Sequence, residues 1–315
     1  MKTADNVNSN PRDLFTRCLT NPILTARDWP YPVNSVFNPG AVKVNDETIL
    51  LCRVEDCRGF SHLTVARSND GQNNWRIDSE PTLSRSEQFH EERWGLEDPR
   101  IVWLEPFNSY AITYVSFSPA GPQVSLALTD DFKKFHRRGV LLLPEDKDAS
   151  LFPRKFNDRF VLIHRPIVRG EQHMWISFSP DLSHWGEHDI LMTRRSGWWD
   201  DAKVGLGPQP IETEKGWLIL YHGVRETASG SLYRVGLALL DLEDPTRVLK
   251  RCDPWVMGPR KDYEYRGDVP GVVFPTGAVV DKEANQVKLY YGAADSRIGL
   301  ATADLDEMLD YLDIC

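Results

Sequence analysis

A β-rich unit that recurs five times along the 315 residues restricts the fold of this chain more than any other feature. Each copy has three apolar runs parted by Asn, Asp, Gly and Pro, the punctuation of hairpins. The first copy has its runs at 41–44, 48–54 and 63–68, and the second at 100–103, 110–116 and 124–129. The third spans 151–156, 159–164 and 174–179, the fourth 209–213, 217–222 and 234–240, and the fifth 277–280, 286–291 and 298–303. An Asp and a turn follow each third run: Asp70-Gly71, Asp131-Phe132, Asp181-Leu182, Asp241-Leu242 and Asp304-Leu305.

Ala66, Ala127, Ser177, Ala238 and Ala301 mark equivalent places, 61, 50, 61 and 63 residues apart. A period of that size holding two hairpins matches one four-stranded blade of a β-propeller. One such unit cannot cover both of its own faces, whereas neighbours around a ring can. The expected fold is therefore all-β. Residues 37–315 form a single five-bladed β-propeller, and 1–36 pack on it, capping the ring or lending an outer strand to the last blade. Two packed sheets in a β-sandwich are the alternative, because strand spacing alone does not fix closure. Helical periodicity surfaces only at 304–312, with Leu305, Met308, Leu309 and Leu312 on one face. The innermost strands of a five-bladed ring bring their ends together at one mouth, and a site is expected there.

Composition narrows the partners. A net charge of -9 is unsuited to nucleic acid, whose phosphates require clustered Lys and Arg. The longest apolar runs, such as Phe160-Val161-Leu162-Ile163, are far too short for a membrane span. The amino terminus lacks the apolar stretch of a signal peptide. Cys18, Cys52, Cys57, Cys252 and Cys315 are odd in number and contain no Cys-x-x-Cys pair. These features point to a cytoplasmic protein with reduced thiols and no metal site. Ten Trp, ten Tyr and thirteen Phe supply the core and offer faces on which sugar rings stack.

Polar residues interrupt the repeats at matching places. Asn38 stands before the first run of copy one, and Arg53 near the end of its second. Glu97-Asp98-Pro99-Arg100 opens copy two, and Lys147-Asp148 opens copy three, whose second run ends in His164-Arg165. Lys203 opens copy four, whose second run ends at His222, and Asp295 follows the second run of copy five. In an up-and-down blade the start of strand one and the end of strand two share an edge. The ring therefore gathers Asn38, Arg53, Asp98, Lys147, Arg165, Lys203, His222 and Asp295 around one pocket. Its carboxylates and amide suit hydroxyl groups, while three fixed cations and a histidine are enough to hold a dianion. Taken alone, each has an ordinary reading: Glu-Asp before Pro is common turn chemistry, and a Lys or Arg at a strand end guards an edge.

The motifs Phe37-Asn38-Pro39-Gly40, Arg53-Val54-Glu55-Asp56, Gly95-Leu96-Glu97-Asp98-Pro99-Arg100, His164-Arg165-Pro166, Tyr221-His222-Gly223 and Gly292-Ala293-Ala294-Asp295 together resemble glycoside hydrolase family 130, from about residue 21 to the end. That family holds inverting β-mannoside phosphorylases and some β-1,2-mannosidases, on a five-bladed β-propeller. The resemblance implies that Asp98 is the general acid and that Asn38, Arg53, Asp295 and Tyr233 bind the sugar. It implies that Arg165, Lys203, Lys147 and His222 bind phosphate. Two positions depart from the pattern: Lys147 stands where the well-known phosphorylases carry Arg, and Asp148 where they carry Asn. Lysine keeps the charge but loses the bidentate fork, and Asp148 adds a negative charge beside the phosphate.

An ordinary inverting glycosidase needs two carboxyl groups, one as acid and one as base for water. A phosphorylase needs only the acid, since phosphate is already an anionic nucleophile. The expected reaction is attack of phosphate on the mannosyl anomeric carbon while Asp98 supplies a proton to the departing oxygen, directly or through a sugar hydroxyl. The product is α-mannose 1-phosphate, with inorganic phosphate as co-substrate and no cofactor. The expected partners are a β-mannoside oligosaccharide and phosphate, with a homo-oligomer left open. The rivals are a phosphate-independent β-mannosidase using Asp148 or Glu226 as base, and a catalytically inactive carbohydrate-binding propeller. Trp198 and Trp199 are candidates for stacking on an acceptor ring.

Overall fold

The computed structural model describes residues 13–315, and strands dominate it. Five antiparallel meanders follow one another along the chain. Unit one comprises Ser35–Val44, Glu47–Glu55, Ser61–Ser68 and Arg76–Ile77. Unit two comprises Gly95–Leu104, Ser109–Ser118, Gly121–Thr129 and His136–Leu142. Asp146–Leu151, Phe160–Val168, Met174–Ser179 and Gly186–Met192 make unit three. Lys203–Leu206, Gly216–Thr227, Gly230–Leu240 and Val248–Arg251 make unit four. Unit five has Val273–Asp281, Gln286–Ala293 and Arg297–Asp304. Its outer edge is paired by segments from near the other end of the chain: Thr16 lies opposite Thr302, and Leu24 opposite Ile298.

The middle strands show why long apolar runs are stable here. Successive side chains point to opposite faces of a strand, and every unit has a neighbour on each face. In unit one, Ile49 and Leu51 join a core with Ile101 and Ile112 of unit two, while Leu50 and Cys52 join one with Val279 and Tyr290 of unit five. Phe160 and Leu162 face Leu126 of unit two, and Val161 and Ile163 face Ile219 of unit four. Leu218 and Leu220 of unit four then pack with Leu289 of unit five. Five cores thus link the units in sequence, with unit five returning to unit one. The inner strands approach closely: a Cβ at Gly277 would lie 2.6 Å from the Pro39 carbonyl oxygen.

The repeated Asp after each third strand has one physical role. Asp70 Oδ1 accepts from the backbone N–H groups of Gln72 and Asn73, and Asp131 Oδ1 from those of Lys133 and Lys134. Asp181 and Asp241 do the same for Ser183–His184 and Glu243–Asp244. These turns substitute a side chain for the missing ladder partner. In the fifth copy Asp304 instead caps the helix Leu305–Ile314, accepting from the Glu307 N–H at 2.9 Å. Met308, Leu309 and Leu312 of that helix are buried, as the spacing predicts.

Two expectations are corrected. The first strand of unit four is Lys203–Leu206, not 209–213, because Pro208 and Pro210 cannot donate to a continuous ladder. Ile211–Thr213 pairs separately, further along Gly216–Thr227. Nor are all the thiols reduced: Cys252 and Cys315 form a disulfide, leaving Cys18, Cys52 and Cys57 free. The terminal helix packs along unit four, where Lys215 binds Asp310 and Asp313, and this carries Cys315 to the end of Val248–Arg251. No helix among the described residues is long and apolar enough to cross a membrane.

The disulfide closes a loop of 63 residues. Replacing Cys315 with Ser is expected to lower the unfolding free energy by about 2–4 kcal/mol. Denaturant titration checks this, and alkylation of the unfolded, unreduced chain should label three cysteines.

Candidate active site

Backbone irregularities in the inner strands create the site. The registers of units one, two and three shift between Phe37 and Gly40, Glu97 and Arg100, and Lys147 and Ser150. Within those bulges Asn38, Asp98 and Asp148 take φ values of 43°, 49° and 53°. That left-handed region tolerates Asn and Asp far better than most residues, and a bulge re-aims its side chain away from the ladder. Asp295 adopts φ 48° in the turn after the second strand of unit five. Neighbouring units brace the bulges; the Thr113 hydroxyl donates to the Ala149 carbonyl at 2.6 Å.

These positions converge on a cavity of about 330 Å³. Asn38, Arg53, Asp98 and Asp295 line it, together with Lys147, Arg165, Lys203, His222 and Tyr233. All nine residues expected from the sequence to act as acid or to bind sugar or phosphate are therefore neighbours. Asp148, Gln172 and Phe274 share the wall.

On one side, Asp98 Oδ1 accepts from Asn38 Nδ2 at 2.9 Å and Arg53 Nη1 at 3.0 Å. Asp98 Oδ2 accepts no hydrogen bond from the described residues. Burial alone would raise the Asp98 carboxyl, but Arg53, Arg100 and Lys147, with the Asn38 hydrogen bond, outweigh it and hold it below the usual carboxylate range. Glu97 does more than support the turn, as it binds Arg53 Nη2 at 3.0 Å and Lys147 Nζ at 3.3 Å. Asp295 behaves oppositely: burial pushes its carboxyl up to about 6 despite the Arg53 charge.

On the other side, Arg165 Nε binds Asp148 Oδ2 at 2.5 Å, and its Nη1 donates to Gln172. The His222 ring is fully buried, 4.5 Å from the Phe274 ring centroid, with Nε2 3.3 Å from Asp148 Oδ2. Burial lowers the His222 pKa more than Asp148 raises it, so the imidazole is neutral near pH 7. The Lys203 ammonium sits 5.2 Å from the Tyr233 ring centroid, and no carboxylate among the described residues pairs with it. Burial pushes the Tyr233 hydroxyl up to about 12, so it remains a phenol. His164, adjacent to Arg165 in sequence, bonds Asp146 and Ser177 away from the cavity wall. No group of three His, Cys, Asp or Glu among the described residues is placed to hold a metal ion.

The model of glycoside hydrolase family 130, described as beta-1,4-mannooligosaccharide phosphorylase, matches residues 13–314. The chain belongs to this family. It is 35% identical over 312 residues to a β-1,4-mannooligosaccharide phosphorylase of Ruminococcus albus, covering 96% of this chain and 91% of that one. It is 37% identical over 264 residues to a β-1,2-mannobiose phosphorylase of Listeria innocua, covering 81% of this chain and 72% of that one. The solved structure of a β-1,2-mannobiose phosphorylase from Listeria innocua, in complex with β-1,2-mannobiose, matches with a TM-score of 0.87 and 30% identity, over 96% of this chain and 99% of that one.

Other residues considered from the sequence lie elsewhere. Trp199 is buried, stacked on Tyr221, with its indole N–H on the Asp253 carbonyl at 2.8 Å. Trp198 is exposed beneath Arg195 and does not line the cavity. Glu226 binds the Ser231 hydroxyl on the surface. Sequence reasoning missed Gln172, which sits in the short pairing Glu171–Gln172 after a strand of ordinary appearance. No local signal marks it.

The Asp295 carboxyl gives a pH test. Its pKa rises from 3.8 to about 6 on folding, so the folded chain binds the extra proton between those values. Its stabilising contribution is complete below about pH 4 and lost as pH rises through 6. Asp295→Asn keeps the left-handed backbone and removes this dependence. Between pH 4 and 6.5, the wild type should lose up to about 3 kcal/mol relative to the variant, read from denaturant midpoints at each pH.

Proposed function

We propose that this chain is an inverting β-mannoside phosphorylase, with residues 37–315 forming a five-bladed β-propeller and residues 13–36 lying along its outer edge; residues 1–12 of the segment expected to pack on the ring lie outside the described residues. The cyclic order of the five cores supports the closed ring. One observation carries the activity: a single cavity has a carboxylate with one free oxygen, Asp98, on one wall and the cations Arg165, Lys147 and Lys203 on another. Inorganic phosphate is held by those cations, with the neutral His222 beside it. Asn38, Arg53, Asp295 and Tyr233 hold the mannosyl unit.

Phosphate attacks the anomeric carbon from the face opposite the leaving oxygen, and the C–O bond to the leaving sugar breaks as the new C–O–P linkage forms. The proton needed by that oxygen comes from Asp98. In the free enzyme Asp98 is ionised by Arg53, Arg100 and Lys147. A phosphate dianion offsets that cationic field, so binding the nucleophile makes it easier to protonate the acid. Fixing phosphate also supplies orientation and charge stabilisation at no further entropic cost during reaction.

Neither carboxylate considered as the hydrolytic base suits that role. Asp148 is enclosed by Arg165, His222 and Arg100, which hold its carboxyl well below the usual range despite burial, and such a group takes protons poorly. Glu226 does not line the cavity. For the leaving sugar, Trp94 offers a face 41% exposed, in a cleft that shares Lys147 and Ile167 with the central cavity. The product is a charged sugar phosphate that does not cross a bilayer, which favours a cytoplasmic setting where it can be consumed. The Cys252–Cys315 bond stands against a reducing compartment.

Initial rates on a panel of β-mannosides, with and without phosphate, test the reading. Turnover should saturate with phosphate and vanish without it, and Asp98→Asn should lower the rate by about two to four orders of magnitude. Phosphate-independent release of mannose, or an Asp98→Asn variant near the wild-type rate, would contradict it.

A further inference from the structure

The carboxylate of Asp148 forms part of the cavity wall beside Arg165 and His222, at the end proposed to hold phosphate, where an anion site would ordinarily exclude a negative charge. Its position is built rather than incidental. The bulge of Asp146–Leu151 holds it at φ 53°, and Arg165 Nε binds Oδ2 at 2.5 Å. Arg100 Nη2 lies 3.6 Å from Oδ1, which accepts no hydrogen bond from the described residues. Unit four passes directly behind: a Cβ at Gly205 would overlap both Asp148 Oδ2 and the His222 ring, so the carboxylate has no room to withdraw. Asp148 is therefore fixed, ionised and short of one donor.

An ionised carboxylate can only accept hydrogen bonds. An oxyanion held beside Lys203 and Arg165 that reaches Asp148 Oδ1 meets it with either a hydroxyl or a bare charged oxygen. Phosphate carries a hydroxyl in both forms present near neutral pH, whereas sulfate, of similar size and charge, has none. We propose, resting on the phosphorolytic reading above, that Asp148 makes the anion site selective for oxyanions that retain a proton, accepting phosphate and arsenate and rejecting sulfate. A site built around a substrate O–H rejects the analogue that lacks it, because its own polar group is left unmet. Here the rejection is stronger, since the unmet group and the analogue carry like charges.

The test measures sulfate as a competitor of phosphate in phosphorolysis, at ionic strength matched with sodium chloride. For the wild type, the sulfate inhibition constant should exceed the phosphate KM by at least about tenfold, and arsenate should replace phosphate in consuming the β-mannoside. Asp148→Asn keeps a residue suited to the left-handed backbone and can donate to a bare oxygen. In that variant sulfate should bind at least about tenfold more tightly than to the wild type, with a smaller change in phosphate KM. Equal competition by sulfate in the wild type, which requires no variant, overturns the proposal, as does unchanged sulfate inhibition in Asp148→Asn. Turnover that ignores phosphate altogether overturns the underlying phosphorylase reading, and that outcome is seen before any sulfate is added.

Discussion

Arg100 reaches across the middle of the molecule from the inner strand of unit two to unit four. Its guanidinium donates to the carbonyls of Leu206 and Gly207 at 3.1 and 3.0 Å, and back to the Asp98 carbonyl at 2.8 Å. The side chain is only 1% exposed, and burial pulls its pKa down. Such a charge is tolerated only where carbonyls and carboxylates satisfy it. Those partners are what the site requires: the Asp98 bulge is held from behind, and Asp148 stands 3.6 Å away as counter-charge. The same residue also keeps the inner strands of two non-neighbouring units in a set relation.

Around that guanidinium the charges are sorted by neighbour rather than by residue type. Three carboxylates lie within one cavity, yet Asp98 and Asp148 are held low while Asp295 is pushed up to about 6. Arg53 and Lys147 are engaged by Glu97, and Arg165 by Asp148. Lys203 is left without a paired carboxylate among the described residues and is the cation most available to an incoming anion. Under the proposed roles, acid, nucleophile site and sugar contacts are mutually dependent, because an anion bound beside Lys203 would change the field that governs Asp98.

Much of this was legible because the chain repeats its chemistry. Alternation in runs such as Ile49-Leu50-Leu51-Cys52 is hidden to the eye but marks a strand covered on both faces. The Asp at each third-strand exit announces the same turn in four units and a helix cap in the fifth. The places of Asn38 and Asp98 at the openings of their repeats put them at the mouth, while the bulges that aim them inward show only in the strand registers. What local pattern could not show depends on distant parts of the chain meeting. Arg100 looks like any residue at a strand entry until Leu206 and Gly207 are brought to it. Gln172 has no context before Arg165 reaches it. Cys252 and Cys315 meet only because the terminal helix lies along unit four.

The central claim is that one cavity presents phosphate to the mannosyl carbon opposite the leaving group. The stereochemistry of the product tests it most directly. Phosphorus-31 and proton NMR of a reaction started with β-mannoside and inorganic phosphate should show the phosphate signal converting to α-mannose 1-phosphate from the first turnover. A β-configured phosphate ester, or free mannose accumulating while the phosphate signal stays constant, would contradict the account.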